Sequence, residues 1–350
     1  MLFDLRPKDK REEIFDRERE FKELEKSVER YPLTLLLGMR RVGKSSILRA
    51  YLNENPGILI DCRELYAERG HITKEDLIRE LQSKGSLIQR VSSRFKVKLN
   101  MRFLEVEPRE VPLRDVFREL NELGGKTEKF IIAFDEAQYL RFYGSRGGKE
   151  LLALFAHAYD SLPNLRIILT GSEVGLLHDF LGINDYESPL YGRIGGEVYV
   201  KPFDEETSRA FLRAGFEETG IKVPAEDIER AVSVLDGIPG WLVLFGVKYL
   251  EKRDFDNALK ASLEVAKALV LGEISELERR SRRYIQILRA IALGYDRWGL
   301  IRDYLEVKGM KTPEPRLYEL LRNLEKMGWV EKEDGRYSLT DPVVRLILSK

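Results

Sequence analysis

Short apolar runs alternate with longer amphipathic segments over the first 203 residues of the chain. The apolar runs have the length and composition of strands that are buried on both faces of a sheet. Between them, apolar residues recur every three or four positions, as they do on helices. Strands that alternate with helices predict an α/β fold with a parallel sheet between two layers of helices. The predicted strands are residues 33–37, 57–62, 130–136, 165–172 and 197–203.

Helix boundaries in this region are predicted from caps and glycines. Thr73 is expected to cap a helix whose first turn contains Asp76, because a threonine hydroxyl accepts hydrogen bonds from the first free N–H groups of a helix. Gly124 and Gly125 are expected to end the helix before them. The predicted helices are residues 14–29, 47–52, 73–81, 113–123 and 149–162.

Residues 95–103 have a different period, because apolar and polar positions alternate there and the polar ones include Lys96, Lys98 and Arg102. This alternation predicts a strand with one buried and one basic face. The basic face could contact a phosphate backbone, but lysines on an edge strand more often prevent pairing with another molecule. We therefore favour an edge strand.

After residue 204 the pattern is helical, with a sharp break at Gly237–Ile238–Pro239–Gly240. The first group of helices predicts an α-helical lid. The last segment predicts three helices followed by a two-stranded hairpin turning at Asp334–Gly335, which is the order of a winged helix. The helices are predicted at residues 205–219, 225–235, 241–252, 254–278, 284–293, 298–307 and 314–327, and the domains at 1–203, 204–281 and 282–350.

A glycine-rich turn joins the first predicted strand to a predicted helix. Gly38, Gly43, Lys44 and Ser45 match the pattern GxxxxGK[ST], in the strand–loop–helix context that the pattern requires. The N–H groups of such a loop and the start of its helix bind a β-phosphate. The lysine is expected to reach the β- and γ-phosphates, and the serine hydroxyl to ligate Mg²⁺. The residues predicted to surround the phosphates are Gly38, Met39, Arg40, Arg41, Val42, Gly43, Lys44, Ser45 and Ser46.

Two acids, Asp135 and Glu136, end an apolar strand that we expect beside the phosphate-loop strand. Ligands of parallel sheets bind where the strands end. The aspartate is expected to hold Mg²⁺ through a water, and the glutamate to polarise the attacking water. The alternative for two adjacent acids is the solvated entrance of a loop.

Further polar residues follow the later strands. Thr170 and Ser172 could hydrogen-bond the γ-phosphate or orient the water, or they could form only a turn of small residues; Gln138 is a lesser candidate. Arg193 lies in a glycine-rich loop, from which a guanidinium could reach a γ-phosphate in the same or a neighbouring subunit. A surface ion pair is the alternative for Arg193.

The amino-acid composition argues against several classes of protein and several kinds of site. Lysine plus arginine equals aspartate plus glutamate at 59 each, so the chain lacks the overall charge of a nucleic-acid coat protein or a polybasic membrane binder. The single cysteine, Cys62, excludes intramolecular disulfides and cysteine-based zinc sites. The three histidines lack ligand spacing, and no metal is assigned to them. No leader and no membrane helix is expected, and we expect a cytoplasmic protein.

These motifs occur in the order found in one family, and the chain resembles the archaeal ATPases, which are AAA-like, STAND-type P-loop proteins. The resemblance extends over essentially the whole chain, including the winged helix. The segments that carry it are FDRE at 15–18, GMRRVGKSS at 38–46, FDEAQYL at 134–140, LTGS at 169–172, PLYGR at 189–193 and GIPGW at 237–241.

The resemblance implies a switch that binds and hydrolyses ATP with Mg²⁺. It implies that Arg17 and Glu18 lie near the adenosine, and that Pro239 of the lid packs against the nucleotide. No guanine-reading NKxD element is present, which favours adenine. Proline and tryptophan occupy the lid position where many AAA proteins have an arginine, which argues against a ring motor.

Two alternatives to an ATPase switch with a protein partner remain at this point. The first is an ATP-regulated DNA-binding protein, although residues 283–350 hold 13 basic against 10 acidic residues, which is weak support for binding phosphates. The second is a small-molecule kinase, against which the water-activating Glu136 argues. The partner and the oligomeric state, including a homo-oligomer, are left open.

Overall fold

The computed structural model describes residues 1–95 and 101–349, and the chain forms two compact units. The first, called here the core unit, consists of Pro7–Met39 and Gly43–Val200. The second, called here the C-terminal unit, consists of Met1–Arg6, Arg40–Val42 and Lys201–Lys350. The division into three domains at residues 203 and 281 stays a prediction.

The core unit contains a sheet of five parallel strands in the order β2-β3-β4-β1-β5, as the alternation of strands and helices predicted. All side chains of β1 and β3 are buried, because helices cover both faces of the sheet. The strands are β1 (Leu33–Leu37), β2 (Gly57–Asp61), β3 (Phe130–Asp135), β4 (Leu165–Gly171) and β5 (Gly196–Tyr199).

The prediction that the strand ending in Asp135 lies beside the phosphate-loop strand was wrong. β4 lies between β1 and β3, with Leu37 opposite Gly171 on one side and Phe134 opposite Leu169 on the other. The apolar runs of β3 and β4 are alike, and a crossover connection joins parallel strands without specifying which strands become neighbours. Since all these strands end at the same edge, Asp135 still lies near the phosphate loop.

Eight helices surround the sheet within the described part of the core unit. The helix predicted to start at residue 14 begins at Glu18, because Asp16 has a left-handed backbone (φ +49°) and interrupts the helical turns. The helices are α1 (Glu18–Arg30), α2 (Lys44–Glu54), α3 (Cys62–Arg69), α4 (Lys74–Ser83), α5 (Gly85–Arg94), α6 (Leu113–Thr127), α7 (Lys149–Ser161) and α8 (Val174–Leu181).

The glycines expected to end α6 do not end it. The helix continues through Gly124 and Gly125 to Thr127. A Cβ on Gly124 would lie 2.3 Å from the backbone oxygen of Asn164, so this glycine lets the helix approach the turn that leads into β4. The centre of the predicted basic strand, residues 96–100, lies outside the described residues. On its two sides, α5 ends at Arg94 and a 3₁₀ turn occupies Arg102–Leu104.

Over residues 201–349 the C-terminal unit consists of helices and one hairpin, as predicted. Gly237 has φ +70°, and a Cβ there would lie 2.0 Å from the backbone oxygen of Phe203, so the predicted break needs a glycine. The elements are α9 (Glu205–Glu218), α10 (Ala225–Leu235), α11 (Pro239–Lys252), α12 (Phe255–Arg280), α13 (Arg282–Ala292), α14 (Trp298–Val307), α15 (Glu314–Lys326), β6 (Val330–Glu333), β7 (Arg336–Leu339) and α16 (Pro342–Leu348).

The antiparallel hairpin of β6 and β7 turns at Asp334 and Gly335, which both have positive φ. Positive φ at both central residues is the requirement of a type I′ turn. The final helix α16 was not predicted. Across residues 1–95 and 101–349, we find no helix with the length and apolar character needed to cross a membrane.

Candidate active site

The phosphate loop joins β1 to α2 through a backbone that favours glycine. Gly38, Arg41 and Gly43 have φ of 152°, 69° and 99°. A Cβ on Gly43 would meet no atom within 4 Å, so glycine is needed there for the backbone conformation rather than for space. Gly43 immediately precedes α2, and the N–H groups in the first turn of a helix have no partners within the helix. The loop therefore provides the backbone of an anion site.

Lys44 is the first residue of α2 and is 5% exposed. Its ammonium donates hydrogen bonds to the backbone oxygens of Gly38 (2.8 Å) and Met39 (2.9 Å). The buried charge is thus held across the start of the loop by carbonyl oxygens. Ser46, also on α2, accepts a hydrogen bond from the backbone N–H of Lys8 (3.1 Å).

Ser45 and Asp135 meet at the edge of the sheet where its strands end. The Ser45 hydroxyl donates a hydrogen bond of 2.8 Å to Oδ2 of Asp135. The other carboxylate oxygen, Oδ1, accepts a hydrogen bond from the hydroxyl of Thr170 at the end of β4. Thr170 is fully buried, and it accepts a 3.0 Å hydrogen bond from the backbone N–H of Glu136. One threonine hydroxyl therefore positions the two acids.

Burial raises the pKa of Asp135 above its ordinary value, and the charge of nearby Glu136 raises it further. The hydrogen bonds from Thr170 and Ser45 favour the charged form and partly offset this rise. The site therefore contains a buried carboxylate with two neighbouring hydroxyls. Hard cations such as Mg²⁺ prefer oxygen ligands of this kind, so the pair of Ser45 and Asp135 fits such an ion.

The carboxylate of Glu136 is surrounded by donors from two segments. Its Oε2 accepts hydrogen bonds from the Ser172 hydroxyl (2.6 Å), the Ser172 N–H (3.3 Å) and the side-chain amide of Gln138. Glu136 has φ +53°, a left-handed backbone that turns the chain sharply after β3. Gln138 is fully buried, and within the described ranges its Oε1 has no hydrogen-bond partner. Ser172 and Gln138 thus contact Glu136 directly.

Arg193 is not among the residues brought together around Asp135. Its guanidinium forms two hydrogen bonds to Asp160 of α7, at 3.2 and 2.9 Å, and one to the backbone oxygen of Pro189. The structure therefore shows the surface ion pair that was the alternative for this residue.

The residues expected around the adenosine lie at the starts of two helices, α1 and α11. Arg17 is 6% exposed and pairs with Glu20 at 2.7 Å, and burial lowers its pKa despite that pairing. Glu18 is the exposed first residue of α1. Pro239 is the first residue of α11 in the C-terminal unit. Their roles toward a nucleotide stay predictions.

The loop arginines contact residues that the sequence did not indicate. Within the C-terminal unit, Arg41 lies 2.6 Å from a carboxylate oxygen of Glu273 on α12. Arg40 lies 3.4 Å from the same carboxylate. Glu273 carries no local signal that could have identified it, because it is more than 200 residues from the loop in sequence.

Comparison with protein families gives two matches. The model of an ATPase domain predominantly from Archaea matches residues 14–245. The model of the C-terminal winged helix-turn-helix domain of MCM proteins matches residues 278–339. Among curated proteins the comparison found no match.

Solved structures similar to this chain include close and distant ones. A Walker-type ATPase of Pyrococcus abyssi is 70% identical, with each chain covered completely and a TM-score of 0.98. The ORC2 protein of Aeropyrum pernix in ADPNP–ADP complexes is 15% identical with a TM-score of 0.63, covering 99% of this chain and 97% of that one. Its ADP form is 14% identical with a TM-score of 0.58, covering 100% and 98%. The two distant similarities concern the fold alone.

Proposed function

The chain belongs to the family of ATPases that occur predominantly in Archaea, and from this premise we propose that it is a Mg²⁺-dependent switch driven by ATP. The observation that carries the proposal is the 2.8 Å contact between Ser45 and Asp135. It joins the end of the phosphate loop to the acids that follow β3. The phosphate loop and these acids together bind the triphosphate, activate water and signal the presence of the γ-phosphate to the rest of the chain.

The phosphates are bound by the loop from Gly38 to Ser46. The N–H groups after Gly43 point along the start of α2, where the helix dipole favours an anion. The ammonium of Lys44 donates hydrogen bonds to the carbonyl oxygens of Gly38 and Met39. When ATP binds, it exchanges these bonds for contacts with the β- and γ-phosphate oxygens. Ser45 and Asp135 would hold Mg²⁺, which would neutralise negative charge on the same phosphates.

Glu136 is the proposed general base for the attacking water. Its carboxylate lies at the end of the strand that also carries Asp135, within a shell of donors from Ser172 and Gln138. We assign these two residues to the orientation of the carboxylate, since they contact it directly. Thr170 positions both acids through its hydroxyl. Arg193 is left out of this machinery because Asp160 holds its guanidinium.

In the switch, the α-helical lid and the winged helix respond to the nucleotide and present the change to a protein partner. The even balance of charge in the chain supports a protein partner over nucleic acid. We propose an adenine nucleotide, with Arg17, Glu18 and Pro239 near the adenosine. A STAND-type mode of action and a cytoplasmic location belong to the same proposal.

A second function, ATP-regulated DNA binding, is favoured by the match of residues 278–339 to the MCM winged-helix model. Binding to duplex DNA with and without ATP, measured across a salt series, separates the two functions. A steep fall in affinity with salt indicates phosphate contacts. Absence of binding at low salt excludes the DNA function.

Glu136→Gln tests the proposed chemistry. The amide keeps the shape of the side chain but cannot accept a proton, so ATP binding should persist while phosphate release falls by about 10²- to 10⁴-fold. Glu64→Gln, an exposed change on α3, is the control and should retain turnover. Undiminished hydrolysis by Glu136→Gln would exclude its role as general base. A separate assay distinguishes a hydrolase from a kinase, because only a hydrolase releases phosphate without an added acceptor.

A further inference from the structure

The middle of the phosphate loop, Arg40–Val42, is part of the C-terminal unit. There the guanidinium of Arg41 contacts three side chains from three helices. It lies 2.6 Å from Glu273 of α12, 3.8 Å from Asp341 at the start of α16, and 4.2 Å above the ring of Trp241 on α11. A planar guanidinium suits such a site because it can pair with carboxylates at its edge and stack on an aromatic face.

The residues around Arg41 also bind one another. The indole N–H of Trp241 donates to both carboxylate oxygens of Asp341, at 3.1 and 3.0 Å. Asp341 in turn accepts a 2.9 Å hydrogen bond from the N–H of Val343 and so caps α16. The side chains of Arg41, Glu273 and Asp341 are only 17%, 14% and 10% exposed. This partly desolvated cluster fixes the guanidinium more firmly than an exposed ion pair would.

The backbone of Arg41 is held as well. Its carbonyl oxygen accepts a 2.9 Å hydrogen bond from the N–H of Gly240 at the start of α11. A Cβ on Gly240 would lie 2.8 Å from the Cβ of Arg41, so glycine permits this approach. Arg41 has φ +69°, a conformation that a side-chain-bearing residue keeps only when its surroundings impose it. The contacts with α11, α12 and α16 supply those surroundings.

We propose that Glu273, Asp341 and Trp241 are positioning residues for the phosphate loop. By holding Arg41 in its left-handed conformation, they keep the loop in the shape that presents its N–H groups to phosphates. The inference rests on the proposed function in one respect, that nucleotide binds in this loop. Linkage makes the effect reciprocal: a nucleotide that prefers this loop shape must stabilise the cluster, and through it the ends of α11 and α16.

Glu273→Gln tests the inference, because it keeps the size of the side chain and removes the charge that faces Arg41. We expect the dissociation constant for a fluorescent ATP analogue to rise about tenfold, within the range of known couplings. The turnover number at saturating ATP should change little, since Glu273 has no part in the chemistry. The matched control is Glu276→Gln, an exposed position one turn along α12, which should bind like the wild type.

A second measurement uses the wild-type protein, so it does not depend on a variant that folds. Amide hydrogen exchange in residues 239–252 and 342–348 should slow when ATP and Mg²⁺ are added. The slowing should persist in Glu276→Gln and be lost in Lys44→Ala. Unchanged exchange with nucleotide bound, or an unchanged dissociation constant in Glu273→Gln, would overturn the inference. Failure of the wild type to bind ATP would instead overturn the proposed function.

Discussion

The hydroxyl of Ser45 donates a hydrogen bond to the carboxylate of Asp135, although 90 residues separate them in the sequence. One residue lies in the first turn of the helix after β1, and the other ends β3. β4 lies between these strands and carries Thr170, whose hydroxyl donates a hydrogen bond to the same carboxylate. The ends of three parallel strands thus form one polar cluster, and its hydrogen bonds determine how the site should respond to pH and mutation.

Thr170→Val should move the acidic limb of the rate–pH profile to higher pH. Burial and Glu136 already raise the pKa of Asp135, while the hydrogen bonds from Thr170 and Ser45 lower it. Removing the Thr170 hydroxyl therefore raises that pKa further. Because a metal ligand must be deprotonated, activity should be lost at a higher pH in this variant than in the wild type.

Thr170→Ser is the matched control for that shift, because serine retains the hydroxyl. Its acidic limb should coincide with that of the wild type when hydrolysis is followed from neutral to acidic pH. If the limb of Thr170→Val also coincided with that of the wild type, the hydrogen bond to Asp135 would have no influence on the ionisation that limits activity.

Lys44→Ala should abolish detectable hydrolysis. The ammonium lies across the start of the loop and donates hydrogen bonds to the oxygens of Gly38 and Met39. Its loss removes stabilisation of the charge that develops on the phosphates. The measurement is phosphate release with saturating ATP. Arg49→Ala, an exposed change on the same helix, should keep wild-type activity, and comparable losses in both variants would indicate a damaged helix instead.

The sequence predicted the parallel sheet, the phosphate loop and the meeting of Ser45 with Asp135, because each has a local signal. Apolar runs mark the strands, the glycine pattern marks the loop, and polar residues follow the strand ends. The order of the strands had no such signal, since β3 and β4 have equally apolar sequences. Gly124 looked like a helix end, but it serves a contact with Asn164 that only the folded chain reveals.

The environment of individual side chains was less predictable still. Two alternatives were open for Thr170, a contact with the γ-phosphate or the water and a turn of small residues, and neither indicated its hydrogen bonds with Asp135 and the N–H of Glu136. The partner of Arg41, Glu273, belongs to a helix more than 200 residues away, and nothing in its own segment distinguishes it from the other glutamates of α12. Asp341 followed by Pro342 does resemble a helix start, and this signal could have identified α16.

Arg193→Ala and Asp160→Ala should have equally small effects on turnover. Each change breaks the same partly exposed ion pair, and such pairs contribute little to stability. An arginine that stabilised the γ-phosphate would behave differently, because its loss costs about 10³- to 10⁵-fold in rate. Turnover should be measured at several protein concentrations, so that an arginine acting on a neighbouring subunit would also be detected. A large loss confined to Arg193→Ala would restore its catalytic role.

Asp76→Asn should destabilise the core unit at neutral pH, and the difference in stability from the wild type should disappear at acidic pH. Asp76 accepts a 2.9 Å hydrogen bond from the N–H of Thr73, whose hydroxyl accepts one of 3.1 Å from the N–H of Asp76. This reciprocal pair forms a capping box at the start of α4. Burial alone would raise the pKa of Asp76, but the hydrogen bonds from Thr73 and the charges of Arg69 and Arg79 lower it overall.

A carboxyl whose pKa is lowered by folding stabilises the folded state above its unfolded pKa of about 3.9, and this contribution is lost as pH falls through the folded value. The free energy of unfolding of the wild type should therefore exceed that of Asp76→Asn by about 1 kcal/mol near neutral pH, which is the usual contribution of a helix cap. In urea unfolding the difference should shrink progressively below about pH 4. Glu75→Gln, which removes a charge from the same turn outside the capping box, controls for charge alone. A difference independent of pH would show that the charge of Asp76 does not stabilise the box.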